Sequence, residues 1–520
     1  MDKKTNSIGK NAAILGIAGI IVKILGAIYR IPVTAMITDV GLGYYQAAYP
    51  IYEIMLAIST AGLPVAVATM VSRDTALGEY KKSDKTMKIS FILMSILGFV
   101  LAAIIFFGAK YLTELYKNPG AYYAMIALVP AMIFSPMLAS LRGYYQGRQI
   151  MEPTAISQII VQLFRLLSGL LFCYILLPYG YELAAGGASL GAGVGALIGL
   201  IYMGFVHFKN KRYIKEELML DNSLEVNTKS IVKEMIKIAL PISIGSAIVP
   251  LMDSIDVALV MNGLMDGGLS AAEANMRFAW LKGMASTLIN LPQVIAVALG
   301  VSIIPIISGL IAKREKNKLE DRINLVIKVA LLIAIPCMAG LFSMANPIIA
   351  LIYPTTSDMA IEGTSIILKI LSIAVVPLVL ITVLTAVLQA MGKEKLPVIN
   401  LLAGAIFKII ITVVLTRVPS INVYGAAIGS VVGYFITVIL DILSIKKRAD
   451  IKIDKKILLI FISSIVMGAI AIYSYGFIAG FISAKIATLV AILIAAVFYF
   501  AILIFTKALT KRDIELLRRS

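Results

Sequence analysis

The sequence predicts an all-α, polytopic membrane protein of about fourteen transmembrane helices, organised as two pseudo-symmetric six-helix bundles followed by an extra C-terminal pair. Three observations predict it: a charge-poor apolar composition, a succession of apolar runs of spanning length, and basic residues gathered in alternate connections. Of 520 residues, 60% are hydrophobic and 15% charged, with a mean hydropathy of +0.94. Soluble domains carry about 25% charged residues, so a soluble globular class is excluded. A spanning helix takes about 20 apolar residues.

Apolar runs fall near 11–38, 44–72, 87–108, 122–141, 154–177, 183–207 and 238–262 in the first part of the chain. They continue near 276–309, 323–344, 364–390, 397–417, 422–445, 456–479 and 482–506. The long eighth run is open to a break at Pro292 or Pro305. The basic start and first run look like a signal peptide, but the run carries Lys23 and Arg30 and no small-x-small cleavage site. It is expected to be a retained first helix.

Charge then sets the topology. A formal net charge of +18 would suit nucleic acid in a soluble chain. Here, 35 of the 47 Lys and Arg residues fall in the segments 1–10, 73–88, 142–148, 209–237, 313–322, 393–395, 446–456 and 507–519. The intervening connections hold only Lys110, Lys117 and Arg417. Every second connection is therefore basic, as the positive-inside rule requires. The expectation is a multi-pass protein of the cytoplasmic membrane, with both termini cytoplasmic and no nucleic-acid partner.

Two local matches show internal repetition. Gln146 is followed by Pro153 and then by Arg165; Gln389 is followed by Pro397 and then by Lys408, with the cation nineteen residues after the glutamine in each case. The next helix carries Gly187, Gly191 and Gly195 in one half and Gly425, Gly429 and Gly433 in the other. Glycines four apart share a helical face and let two backbones approach closely. The expected organisation is an N-terminal six-helix bundle (1–210), a cytoplasmic linker (211–230), a C-terminal six-helix bundle (231–448), and a further helix pair with a basic tail (449–520).

Ionisable residues inside spans face a bundle interior or a wet cavity. Lys23 and Arg30 lie two turns apart on one face of the first helix. Arg165 is central in the fifth, preceded by Gln158 and Gln162, and Glu53 is the plausible acidic partner in this half. The surplus of positive charge suits a phosphate, carboxylate or pyrophosphate group. The alternative is structural: snorkelling for Lys23 and Arg30, and pairing with Glu53 for Arg165. In the second half, Asp253 and Asp256 share one face of the seventh helix; they either bind Na⁺ or a proton, or are neutralised by Lys282 or Lys408. Lys328, Lys369, Lys485 and Arg277 near span ends are expected to snorkel. Tyr44, Tyr45, Tyr49 and Tyr52, Tyr122 and Tyr123, and Tyr144 and Tyr145 suit interfacial aromatic belts.

Enzyme signals are missing: there is neither a phosphate-binding GxxxxGK[ST] loop nor HExxH. Cys173, Cys337 and His207 read as two small core hydrophobes and an interfacial residue, and they assemble no ordinary zinc site. No catalytic residue, metal ligand or organic cofactor is expected.

The run Lys23-x-x-Gly26-Ala-Ile-Tyr-Arg30-Ile-Pro32 and then Gly41-Leu-Gly43-x-Tyr45-Gln46-x-x-Tyr49-Pro50-x-Tyr52 resemble the SpoVB/YtgP branch of the polysaccharide transporters. So do Gly62-Leu-Pro64-Val-Ala66, Arg142-Gly143-x-Tyr145-Gln146-Gly147 and Met151-x-Pro153-Thr154-Ala155-x-Ser157-Gln158. That branch belongs to the multidrug/oligosaccharidyl-lipid/polysaccharide (MOP) exporter superfamily, with the MurJ-type lipid II flippases and the MATE drug antiporters. The resemblance implies a MOP/MATE-like fold with alternating access around a central cavity. It implies a polyprenyl-pyrophosphate glycolipid as cargo, lipid II above all, and cell-wall or sporulation machinery as partners. Cavity arginines on the first helix of MurJ-type flippases map onto Lys23 and Arg30, and Arg73 is a loose candidate for a further one. Coupling would come from Na⁺, H⁺ or the membrane potential. The rival expectations are a cation-coupled multidrug antiporter, an exporter of polysaccharide repeat units, and a non-transporting envelope scaffold.

Overall fold

The computed structural model describes residues 2–221, 227–451 and 456–506. The side chains of the basic N-terminal segment 1–10, residues 222–226 of the expected linker, and the basic tail 507–520 lie outside the described residues. The chain separates into two compact units, Met1–Ala258 and Leu259–Ser520.

The first unit is built from α1 (Asp2–Thr60), α2 (Gly62–Ala76), α3 (Tyr80–Leu115), α4 (Tyr122–Ala127), α5 (Val129–Gly147), α6 (Glu152–Leu176), α7 (Tyr181–Lys209), α8 (Lys211–Leu220) and most of α9 (Thr228–Asp266). The second holds α10 (Ala271–Phe278), α11 (Ser286–Ile289), α12 (Leu291–Ala312), α13 (Lys316–Ser343), α14 (Ala345–Ile352) and α15 (Asp358–Ser372). It continues with α16 (Val375–Ala390), α17 (Lys395–Thr416), α18 (Val423–Lys446), α19 (Lys456–Ile478) and α20 (Ala484–Phe505). Helices satisfy every backbone donor and acceptor within one segment, which hydrocarbon demands.

Among the described residues, twelve helical segments are long and apolar enough to cross a membrane, or thirteen when α15 and α16, bent by 44°, count as one span. The first of these covers two expected spans, which follow each other without a loop and meet at a kink where Thr38 (φ 55°, ψ −168°) leaves the helical region inside α1. A β-branched residue at positive φ is strained, so this break is imposed by packing and not by local preference. The eighth apolar run breaks at Asn290, ahead of Pro292, while Pro305 stays inside α12. Pro292 is tolerated because it stands in the first turn of α12.

The start of α9 is packed into the first unit. Ile231, Met235 and Ala239 share an apolar core with Ala66, Val67 and Met70 of α2. Ser243 Oγ donates to the Ile58 carbonyl at 2.9 Å. In each unit one helix pair packs more extensively than any other: α6 on α7, and α17 on α18. These are the two pairs carrying the glycine repeats. Pro153 and Pro397 lie in the first turns of α6 and α17.

Candidate functional site

The site grows from the α6–α7 contact. A Cβ at Gly187 would stand 2.6 Å from the Phe172 carbonyl carbon, and one at Gly191 2.5 Å from the Arg165 carbonyl oxygen. Gly195 lies equally close, with a Cβ there 2.4 Å from the Val161 carbonyl oxygen and 3.1 Å from the Arg165 nitrogen. Only glycine allows this approach, and it fixes the backbone that presents Arg165.

Arg165 is half-buried and points into tyrosines. Its Nη2 donates to the Tyr45 hydroxyl at 3.1 Å and to the Tyr49 hydroxyl. Its guanidinium carbon lies 5.1 Å from the centre of the Tyr49 ring and 5.9 Å from that of Tyr29, within cation–π range. Tyr45 stacks on Tyr49 at 5.4 Å, and Tyr52 meets Tyr49 edge-on at 5.6 Å. Tyr29 is pinned by its hydroxyl, which donates to the Ala188 carbonyl of α7 at 2.7 Å. Nε of Arg165 is enclosed without a hydrogen-bond partner.

Neutral hydroxyls and ring faces hold the guanidinium without cancelling its charge. Among the described residues no carboxylate forms an ion pair with Arg165, so the structural pairing with Glu53 is not found. A cation desolvated and left net positive binds an oxyanion strongly, through charge-assisted hydrogen bonds.

The cations of α1 lie on the helix that packs against α6. A Cβ at Gly26 would lie 3.4 Å from Gln162 Nε2, which sets α1 against α6. Arg30 is one turn beyond Gly26, as Arg165 is one turn beyond Gln162, and is half-buried. Lys23 is one turn the other way and exposed. Glu53, on the second part of α1, is half-buried one residue after Tyr52.

Arg73 is placed elsewhere. Near the end of α2, it bonds Asp74 at 2.9 Å and, through both amino groups, Glu234 of α9. Its charge is matched by two carboxylates. Asp253 is half-buried and Asp256 3% exposed, both on the part of α9 belonging to the first unit. Lys282 and Lys408 belong to the second unit and are half-buried.

Several expectations need correcting. Tyr45, Tyr52, Tyr144 and Tyr145 are no interfacial belt: all are 5% exposed or less, packed inside the protein. Tyr122 and Tyr123 are exposed, as a belt requires. Lys328, expected to snorkel, is 6% exposed within α13. His207 packs against the rings of Tyr144 and Tyr145, with centroids 5.9 and 6.4 Å away. Arg142, counted with the basic segment 142–148, lies inside α5. Among the described residues no group of three or more His, Cys, Asp or Glu is placed to hold a metal ion.

Sequence reasoning missed Tyr29 as a wall of the site. The available signal was its position next to Arg30, with Gly169 four residues after Arg165: a Cβ at Gly169 would stand 2.9 Å from Tyr29 Cζ.

Residues 8–311 match the polysaccharide biosynthesis protein family, and residues 241–414 match the MatE family. The chain is 28% identical over 448 residues to stage V sporulation protein B of Bacillus subtilis, covering 86% of this chain and 85% of that protein. It is 26% identical over 504 residues to the lipid II flippase MurJ of the same organism, covering 93% and 92%. Its fold matches that of lipid II flippase MurJ in an inward closed conformation, with a TM-score of 0.69 at 17% identity, over 95% of this chain and 99% of that one. It also matches an inward-facing MATE family transporter, with a TM-score of 0.67 at 15% identity, over 82% and 94%.

A multi-pass membrane transporter, and not an enzyme, is the class that these helices and relatives define. Within that class, the chain belongs to the polysaccharide biosynthesis protein family.

Proposed function

We propose that the chain is a flippase that moves a polyprenyl-pyrophosphate-linked glycan, lipid II in peptidoglycan synthesis, across the cytoplasmic membrane by alternating access. The observation that carries this reading is the uncancelled charge of Arg165 in its tyrosine cage, with Arg30 next in the chain to Tyr29 of that cage. In this reading Arg30 and Arg165 grip the pyrophosphate, and exposed Lys23 meets it on the way from the cytoplasm, where both termini lie. Tyr45 and Tyr49 hold the guanidinium in place while the site is empty and turn their hydroxyls to the phosphate oxygens when it is filled. The sugars occupy a wet space and the polyprenyl chain stays in the bilayer.

An excess positive charge couples the empty site to the membrane potential, worth about 2.3 kcal/mol per charge per 100 mV. Asp253 and Asp256 are the residues through which Na⁺ or H⁺ would act. No cofactor is needed. Arg73, already matched by Asp74 and Glu234, serves α2–α9 packing in this reading. Cell-wall or sporulation machinery would receive the product.

One observation favours a second reading, a cation-coupled multidrug antiporter: residues 241–414 match the MatE family. A drug cation would be repelled by Arg165. Complementation of cells depleted of their lipid II flippase separates the two. The chain should restore lipid II to the outer face, and Arg30→Ala or Arg165→Ala at normal expression should not. Growth without outer-face lipid II, or full rescue by both variants, would refute the flippase.

A further inference from the structure

Arg142 of α5 is a second internal cation whose charge no carboxylate balances among the described residues. Its Nε donates to Ser157 Oγ of α6 at 2.8 Å. Ser157 spends its own hydrogen on the Thr154 carbonyl at 2.7 Å, so its lone pair faces Arg142. Ser157 is fully buried, which makes this a fixed bracket and not a surface contact. Nη2 of Arg142 is buried and has no hydrogen-bond partner, and neither has Oγ1 of buried Thr154 one turn away. Among the described residues no carboxylate pairs with Arg142. An enclosed donor on a full charge costs several kcal/mol unless an acceptor reaches it.

The position of Arg142 gives this cost a use. Tyr52, at the edge of the Arg165 cage, meets Ser135 of α5. Arg142 follows Ser135 by seven residues, which is the same helical face about 10 Å along the axis. On α6, Ser157 precedes Arg165 by eight residues, or about 12 Å. Two helices therefore agree on one displacement. Arg142 lies toward the ends of α5 and α7 and the start of α6, at the level of Lys23 on α1.

We infer that Arg142, bracketed by Ser157, is a second oxyanion site that takes a phosphate or pyrophosphate group before it moves on to Arg165. The chemistry it offers is a guanidinium edge with an unused donor, flanked by a hydroxyl, which fits phosphate oxygens bidentately. Binding at Arg142 stands on this geometry; only the identity of the cargo rests on the flippase reading.

The test uses the full-length chain in phosphatidylcholine nanodiscs, titrated calorimetrically with inorganic pyrophosphate and with a short-chain prenyl pyrophosphate. The wild type should bind two anions per chain. Arg165→Ala and Arg142→Gln should each bind one, and the double variant none. Ser157→Ala leaves every charge in place and should weaken one site about tenfold, the value of a fixed charge-assisted hydrogen bond, while sparing the other. A Ser157→Ala protein that binds like wild type, or an Arg142→Gln protein that retains two anions, overturns the inference. Repeating the titration with phosphatidylglycerol in the discs identifies the source. Competition confined to the Arg142 site marks a lipid headgroup as its occupant; no competition marks the polar cargo. Two-site binding without glycolipid translocation would sink the flippase reading and leave this site standing.

Discussion

The pairs α6–α7 and α17–α18 are two versions of one hairpin. In each, glycines four apart on the second helix rest on the backbone of the first, and a cation lies at the same point. A Cβ at Gly195 would come 3.2 Å from Arg165 Cβ, and one at Gly433 2.9 Å from Lys408 Cβ. They part company four residues later. Gly169 leaves a gap that Tyr29 of α1 fills, whereas Thr412 fills the corresponding place itself and lies 2.7 Å from where Gly429 would carry a Cβ. The second hairpin also holds a buried polar pair, Asn400 donating to Asp441 at 2.8 Å. The lesson is that close backbone packing is shared between the halves, while a missing side chain at Gly169 lets Tyr29 reach the first hairpin where Thr412 fills its own place in the second.

The largest test of this comparison is charge. Arg165→Ala should cut glycolipid translocation about tenfold or more, the loss of at least one charge-assisted contact, and Lys408→Ala should cost distinctly less. Equal losses in proteoliposome assays would mean that both halves hold the cargo. The next test is packing. Gly191→Leu should destabilise the protein by about 1–3 kcal/mol through overpacking. Gly429→Leu should cost less, because its Cβ would meet the Lys408 carbonyl oxygen at 3.0 Å where that of residue 191 meets the Arg165 carbonyl oxygen at 2.5 Å. Thermal unfolding followed in detergent gives the order directly. The smallest effect is expected for Tyr29→Phe, which gives up the bond to the Ala188 carbonyl and about 1 kcal/mol of stability with it. A loss of translocation far beyond that stability change would show that the hydroxyl also acts on cargo.

Arg165 and the glycine stripe were legible in the sequence, since a charge in an apolar run and a four-residue spacing both survive without coordinates. Its cage was not. Tyr45, Tyr49 and Tyr52 stand at the start of an apolar run, where hydropathy alone points to an aromatic belt. The turn of α1 at Thr38 brings them back beside Tyr29, and no composition signal marks that turn. Arg142 was hidden for a related reason: six residues before Arg148 and next to a glycine, it read as a loop cation, although α5 runs on to Gly147.

By itself, the sequence determined that this is a helical membrane protein, that its halves repeat, and that its first half carries excess positive charge at membrane depth. Hydropathy measures transfer into a bilayer and charge counts follow topology, so both accumulate over whole segments and need no neighbours. Only the tertiary structure decided which cations are balanced. Arg73 found Glu234, while Arg165 found tyrosines and Arg142 a serine. Ion pairing depends on a few ångströms between residues distant in the chain, and those distances are set by how closely one helix backbone is allowed to approach another.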